Sequence, residues 1–215
     1  VAFDRWKPPG LTRPEQRRNF LSTFISVCVA VHHAHLNGVI HRDLKPDNIL
    51  VQRLGEPAPA VQGVLDPSVQ PKILDFGVAR LLEEPETGSL GTSAGQIVGT
   101  VPYLSPEQAV GKSSEADIRS DIYSVGVIAF ELLSGRLPFD VQDMPLHAAV
   151  RRVLETSPRR MSADRPSLRG DIETMVAKAM DHEPARRYQS AADVAADFRR
   201  FLRNEPIAAR SPSTS

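Results

Sequence analysis

His41-Arg42-Asp43-Leu44-Lys45-Pro46-Asp47-Asn48 is the stretch on which the reading of this chain turns. It sits between the end of one predicted helix and a short predicted strand. Such a segment is a loop. The residues on either side are apolar with two different periods, so packed elements hold the loop at both ends. Upstream, Phe20, Phe24, Val27 and Val31 recur at three and four residues, with Leu21 and Cys28 beside them, which predicts the buried face of a helix. Thr12-Arg13-Pro14-Glu15 reads as its capping box and Asn37-Gly38 as its C-cap. Downstream, Ile49-Leu50-Val51 and Lys72-Ile73-Leu74 have the length of strands. Pro57, Pro59, Pro67 and Pro71 lie between them, so 53–71 is expected to be an exposed proline-rich excursion on a two-stranded ribbon.

Further along the chain, Asp75-Phe76-Gly77 follows the second short strand. Leu81 to Thr100 is rich in Gly, Ser and Thr without an apolar period and reads as a surface loop. Ser105-Pro106-Glu107-Gln108 opens a helix, with Ser as cap, Pro at the first position and Gln at the third. Ile118 to Leu133 is apolar almost all round, as a helix inside a core would be. Arg151 to Arg169 holds six arginines against Glu155 and Asp164 and is expected to be a solvated loop. Ile172, Met175, Val176, Ala179 and Met180 form one helical stripe; Val194, Phe198, Phe201 and Leu202 form another after the cap at Ser190. Asn204 onward reads as a frayed tail.

The 215 residues are 41% apolar and 24% charged, which excludes disorder over the whole length. Lys and Arg balance Asp and Glu at 26 each, so no global field draws the chain to nucleic acid or anionic lipid. The lone Cys28 excludes a disulfide scaffold and points to a reducing, cytoplasmic setting. The longest apolar stretch is too short to span a bilayer. His32, His33, His35 and His41 lack the cysteines or carboxylates of a zinc set and read as packing and orienting histidines. The expected architecture is mainly α with a small β-ribbon.

Asp43 and Asn48 stand five apart in the octapeptide, with Asp-Phe-Gly after the second strand and Ser-Pro-Glu before a helix. In that order and spacing, from about Thr12 to Leu202, the chain resembles a eukaryotic-type (Hanks-type) bacterial serine/threonine protein kinase. The resemblance implies a C-terminal helical lobe over 1–204 of the protein-kinase-like α+β fold. It sets a catalytic loop at 41–48, an activation segment at 75–107 and a flexible tail at 205–215. It also implies ATP and Mg²⁺, and protein substrates with Ser or Thr acceptors. Asp43 would accept the acceptor's proton. Asn48 and Asp75 would hold Mg²⁺, while Lys45 faces the transferring phosphate and pairs with Thr100 in the substrate-docking loop. Arg42 would receive a phosphate on the activation segment, at Thr92 or Ser93. His41 braces the loop, Asp121 caps its backbone, and Glu107 and Arg187 form a buried pair.

The Gly-rich strand pair, strand lysine and helical glutamate that grip nucleotide in this family have no counterpart in the 40 residues before His41. The N-terminal β lobe is therefore expected to be absent from this chain, which would be inactive alone and would require that lobe from its parent. A parent anchored in a membrane elsewhere is compatible with this. The alternative function is a non-catalytic, pseudokinase-like scaffold, and the intact Asp43, Asn48 and Asp75 speak against it.

Overall fold

The computed structural model describes residues 3–5, 14–53, 69–76, 100–111 and 117–210. The order of elements is β1 (Phe3–Arg5), α1 (Pro14–Leu36), β2 (Ile49–Arg53), β3 (Val69–Ile73), α2 (Pro106–Ala109), α3 (Ile118–Ser134), α4 (Leu146–Glu155), α5 (Met161–Asp164), α6 (Asp171–Ala179) and α7 (Ala191–Leu202). Mainly helical with one small sheet, it is the architecture expected of the helical lobe.

α3 lies at the centre, with every residue from Ser120 to Phe130 buried. Asp117 caps its start by accepting the Arg119 N–H at 2.7 Å, and Gly135, at φ +80°, closes its end. α6 packs on α3 at Gly126, where a Cβ would lie 2.7 Å from Met180 Cγ and 3.0 Å from Ala179 Cβ. That position has room for no side chain. α1 packs on α7, and Phe24 meets Phe198 edge-on with ring centroids 4.9 Å apart. At the end of α1, Val39 N–H donates to Ala34 O and Gly38 N–H to His35 O, each at 3.0 Å, with Gly38 at φ +74°. This is the Schellman closure that Asn37-Gly38 announces, and it turns the chain into residues 41–48. Thr12, the expected cap of α1, lies outside the described residues.

Four expectations are corrected. The ribbon has a third strand, because β1 pairs antiparallel with β2, setting Phe3 opposite Gln52. β3 starts at Val69 and includes Pro71, opposite Val51; it is an edge strand, where a missing N–H breaks no ladder. The arginine-rich segment is not all loop. α4 runs through Arg151 and Arg152 to Glu155, burying Ala149 and Val153 one turn apart, and α5 covers Met161–Asp164. Nor is the chain loose from Asn204: Ile207 is buried, and Asp197 on α7 accepts the N–H groups of Ala208 and Ala209 at 2.7 and 2.8 Å. Arg210 pairs with Asp171 at 2.7 Å, so 205–210 is strapped to the lobe. Residues 211–215 lie outside the description, as do 54–68 of the proline-rich insertion and Gly77 to Gly99 of the activation segment.

Candidate active site

Residues 41–48 are held from three sides. From α3, the buried Asp121 accepts the N–H of His41 through Oδ2 and that of Arg42 through Oδ1, both at 2.8 Å. His35, on the last turn of α1, meets the same carboxylate at 2.8 Å, so three donors converge on one acid. From the sheet, the Leu74 carbonyl accepts from His41 Nε2 at 2.8 Å, while His41 Nδ1 faces the Asp43 N–H at 3.3 Å. These partners select the His41 tautomer that donates from Nε2 and accepts at Nδ1. From α2, Gln108 Nε2 donates to the Arg42 carbonyl at 2.8 Å.

Asp43, Lys45 and Asn48 come together on this frame. Asn48 is buried, and its Nδ2 donates to the Asp43 carbonyl at 2.8 Å and lies 3.4 Å from Asp43 Oδ2. Lys45 Nζ is 3.1 Å from that same Oδ2 and donates to Thr100 Oγ1 at 2.8 Å. Among the described residues Asp43 Oδ1 is buried without a hydrogen-bond partner. Asp75 follows Leu74, whose N–H donates to the Asn48 carbonyl at 2.9 Å and whose carbonyl receives His41, so β3 delivers Asp75 beside both ends of the loop. Phe76 packs its ring 4.9 Å from that of His41. Arg42 and Asp75 both have positive φ, +66° and +55°. Among the described residues the Arg42 guanidinium has no ion-pair or hydrogen-bond partner. Thr92 and Ser93 lie outside the described residues.

Thr100 is positioned by the turn after it. Tyr103 donates its hydroxyl to Glu131 Oε2 at 2.6 Å, and Ser124 Oγ donates to the Tyr103 carbonyl at 2.8 Å, which fixes Val101–Tyr103 on α3. Burial and the neighbouring Glu131 carboxylate push the Tyr103 hydroxyl well up, so it stays a donor. Glu107 and Arg187 form a two-armed pair, Nη1 to Oε1 and Nη2 to Oε2, both at 2.8 Å. Burial alone would push the Glu107 carboxyl up, but the hydrogen bonds from Arg187 and Ser120 outweigh it and hold it down at about 2.

His35 and Gln108 are the residues that sequence reasoning passed over. The first reads as one of four clustered histidines and the second as a helix cap; their partners lie 86 and 66 residues away. Chemically, the cluster offers a carboxylate with one oxygen held and the other buried without a partner among the described residues, a cation and an amide beside it, and Asp75 on the adjoining backbone.

Residues 9–198 match the family described as protein kinase domain. The chain is 39% identical over 198 residues to a probable serine/threonine-protein kinase PknB of Corynebacterium glutamicum, covering 91% of this chain and 27% of that protein. To the serine/threonine-protein kinase PknB of Mycobacterium tuberculosis it is 37% identical over 193 residues, covering 90% and 28%. It thus spans about a quarter of the length of these curated relatives. A crystal structure of a double mutant of the Mycobacterium tuberculosis PknI kinase domain shares the fold at a TM-score of 0.56 and 20% identity, over 86% of this chain and 56% of that one. Among the described residues no helix is long and apolar enough to cross a membrane. The chain belongs to the protein kinase family.

Proposed function

We propose that this chain is the acceptor- and metal-orienting lobe of a protein serine/threonine kinase that moves the γ-phosphate of ATP to Ser and Thr hydroxyls of proteins. The observation that carries the reading is the state of Asp43. Its Oδ2 is held by Lys45, while its Oδ1 is buried and unmatched among the described residues. A buried acceptor without a donor is costly, and an alcohol bound there would supply the missing O–H. As the acceptor oxygen bonds to the γ-phosphorus and the bond to the ADP oxygen breaks, the hydroxyl proton passes to Oδ1. Lys45 offsets negative charge on the transferring group, and Thr100 keeps its ammonium in place.

Asn48 and Asp75 fit a hard cation. Nδ2 of Asn48 is spent on the Asp43 carbonyl, which turns the amide oxygen the other way, and Asp75 brings a carboxylate to the same end of the sheet. Mg²⁺ held there would supply charge neutralisation to the phosphate oxygens. The triphosphate grip falls to a second, Gly-rich lobe. Leu36, Val39 and Leu74, exposed at the end of α1, in the turn after it and at the end of β3, offer that lobe an apolar edge. Arg42 is left to receive a phosphate on the activation segment, at Thr92 or Ser93.

The test is transfer of labelled γ-phosphate to a basic protein acceptor. In the longest form of the protein that its gene encodes, Asp43→Asn should lower the rate by about 10²–10⁴-fold. The 215-residue lobe alone should give no more than its own Asp43→Asn control. Undiminished transfer by the variant long form would overturn the assignment of Asp43, and transfer by the lobe alone that depends on Asp43 would overturn its dependence on a second lobe.

A further inference from the structure

The peptide unit that joins Arg42 to Asp43 is bound at both ends from opposite directions. Its N–H faces His41 Nδ1 at 3.3 Å, and its carbonyl receives Gln108 Nε2 at 2.8 Å. Gln108 is buried, so water is no ready substitute for that donor. At its other end, Gln108 Oε1 accepts the Ser105 N–H at 3.2 Å and the Ser105 hydroxyl at 3.0 Å, closing the capping box of α2. A capping box is served by Glu as well as by Gln, since only the oxygen is used. Capping therefore does not account for an amide here; the Arg42 carbonyl does.

The carbonyl needs a fixed donor because of the backbone beside it. Arg42 sits at φ +66°, a conformation that a residue with a Cβ keeps only when its surroundings hold it. Asp121 secures the N–H groups of His41 and Arg42, which lie before that peptide. Nothing on α3 reaches beyond them to the Arg42 carbonyl, so rotation about the Arg42 Cα–C bond is checked by Gln108 on one side and by the longer His41 contact on the other. The same bond sets the direction in which Asp43 leaves the backbone.

We infer that Gln108 is a positioning residue for Asp43: it ties the helix that closes the activation segment to the peptide that carries the proposed base. The inference rests on the phosphoryl-transfer reading for its effect on rate, but not for its effect on the backbone. Movement of α2 withdraws the donor and loosens Asp43, so the end of the activation segment and the base are coupled through a single amide.

Two variants separate this role from capping. Gln108→Glu keeps the capping oxygen and loses the donor; Gln108→Met loses both. In the longest form that the gene encodes, below the melting temperature of each variant, both should lower kcat about tenfold with KM for ATP unchanged, the loss of one well-placed hydrogen bond. Exchange of the Asp43 amide with solvent deuterium, followed by NMR, should quicken about tenfold or more in both. Unchanged kcat in either folded variant overturns the inference, as does a rise in KM for ATP with kcat kept. If Gln108→Glu does not fold, Gln108→Met alone decides by the same readings. If the wild-type protein transfers no phosphate, the kinase reading has failed, and amide exchange judges the inference: faster exchange at Asp43 upholds it and unchanged exchange overturns it.

Discussion

Replacing Glu107 by Gln tests how the end of the activation segment is held. The Arg187 side chain is wholly buried and has all five of its N–H groups matched. Nε donates to the Asp181 carbonyl at 2.7 Å, Nη1 to Glu107 and the Arg119 carbonyl, and Nη2 to Glu107 and the His182 carbonyl. Glu107→Gln keeps the shape, removes the only carboxylate among these four partner groups, and strands a charge at 0% exposure. A carboxyl held near 2 against an ordinary 4.5 is worth roughly 3 kcal/mol at neutral pH, at about 1.36 kcal/mol per pH unit. That agrees with the ~3–5 kcal/mol typical of breaking a buried pair. The melting temperature should fall by about 6–12 °C for a domain of this size. Arg187→Met should cost at least as much, since it also abandons three carbonyls, and the double variant should fall short of the sum by ~2 kcal/mol or more. The sign with pH is fixed by the lowered carboxyl. Its contribution is fully present above about pH 4.5 and is lost as pH falls towards 2. Urea unfolding of wild type and Glu107→Gln should therefore differ at pH 7 and converge near pH 2. A difference below about 1 kcal/mol at pH 7, or one that persists undiminished at low pH, would refute the reasoning.

Asp121→Asn sets an NH₂ group against at least one of the three donors that converge there, whichever way the amide turns; it should cost about 2–3 kcal/mol in urea unfolding and lower kcat. Lost stability with kcat intact would show that the cap does not position the loop. Gly126→Ala puts a methyl 2.7 Å from Met180 Cγ and should cost about 1–3 kcal/mol, with Met180→Ala in the same chain recovering part of it. Strict additivity of the two would show that they do not share that space.

What the sequence made legible was local. The octapeptide, the Asp-Phe-Gly and Ser-Pro-Glu triplets and the apolar run of α3 are each continuous in sequence, so spacing alone reveals them. The pair between Glu107 and Arg187 spans 80 residues and came only with the resemblance to kinases. α4 stayed hidden because Arg151 and Arg152 fill its exposed face, while its buried side rests on little more than Ala149 and Val153. The strap at 205–210 is hard to read for a similar reason: short and without a helical or strand period, it is anchored by Ile207 and owes its place to Asp197, which reads in sequence as one more charge on a helix. His35 and Gln108 were seen, but a side chain's second partner leaves no mark on the residues next to it.

The two strained residues of the site are not held alike. Positive φ at a residue with a Cβ costs on the order of 1–3 kcal/mol. At Arg42 the opposing bonds sit on the same residue: its N–H goes to a buried carboxylate and its carbonyl to Gln108. Together they match a cost of that size, since a bond to a charged group contributes about 1.5–3 kcal/mol and a neutral one about 0.5–1.5. At Asp75 the bonds sit on the neighbour, Leu74, whose N–H and carbonyl are both taken, while Asp75 itself is exposed. The bonds on Leu74 fix where Asp75 begins, and Phe76, packed against the His41 ring, fixes where it ends. On the side of the proposed base the strain is thus offset at the strained residue itself, and on the side of the proposed metal ligand through the residues before and after it.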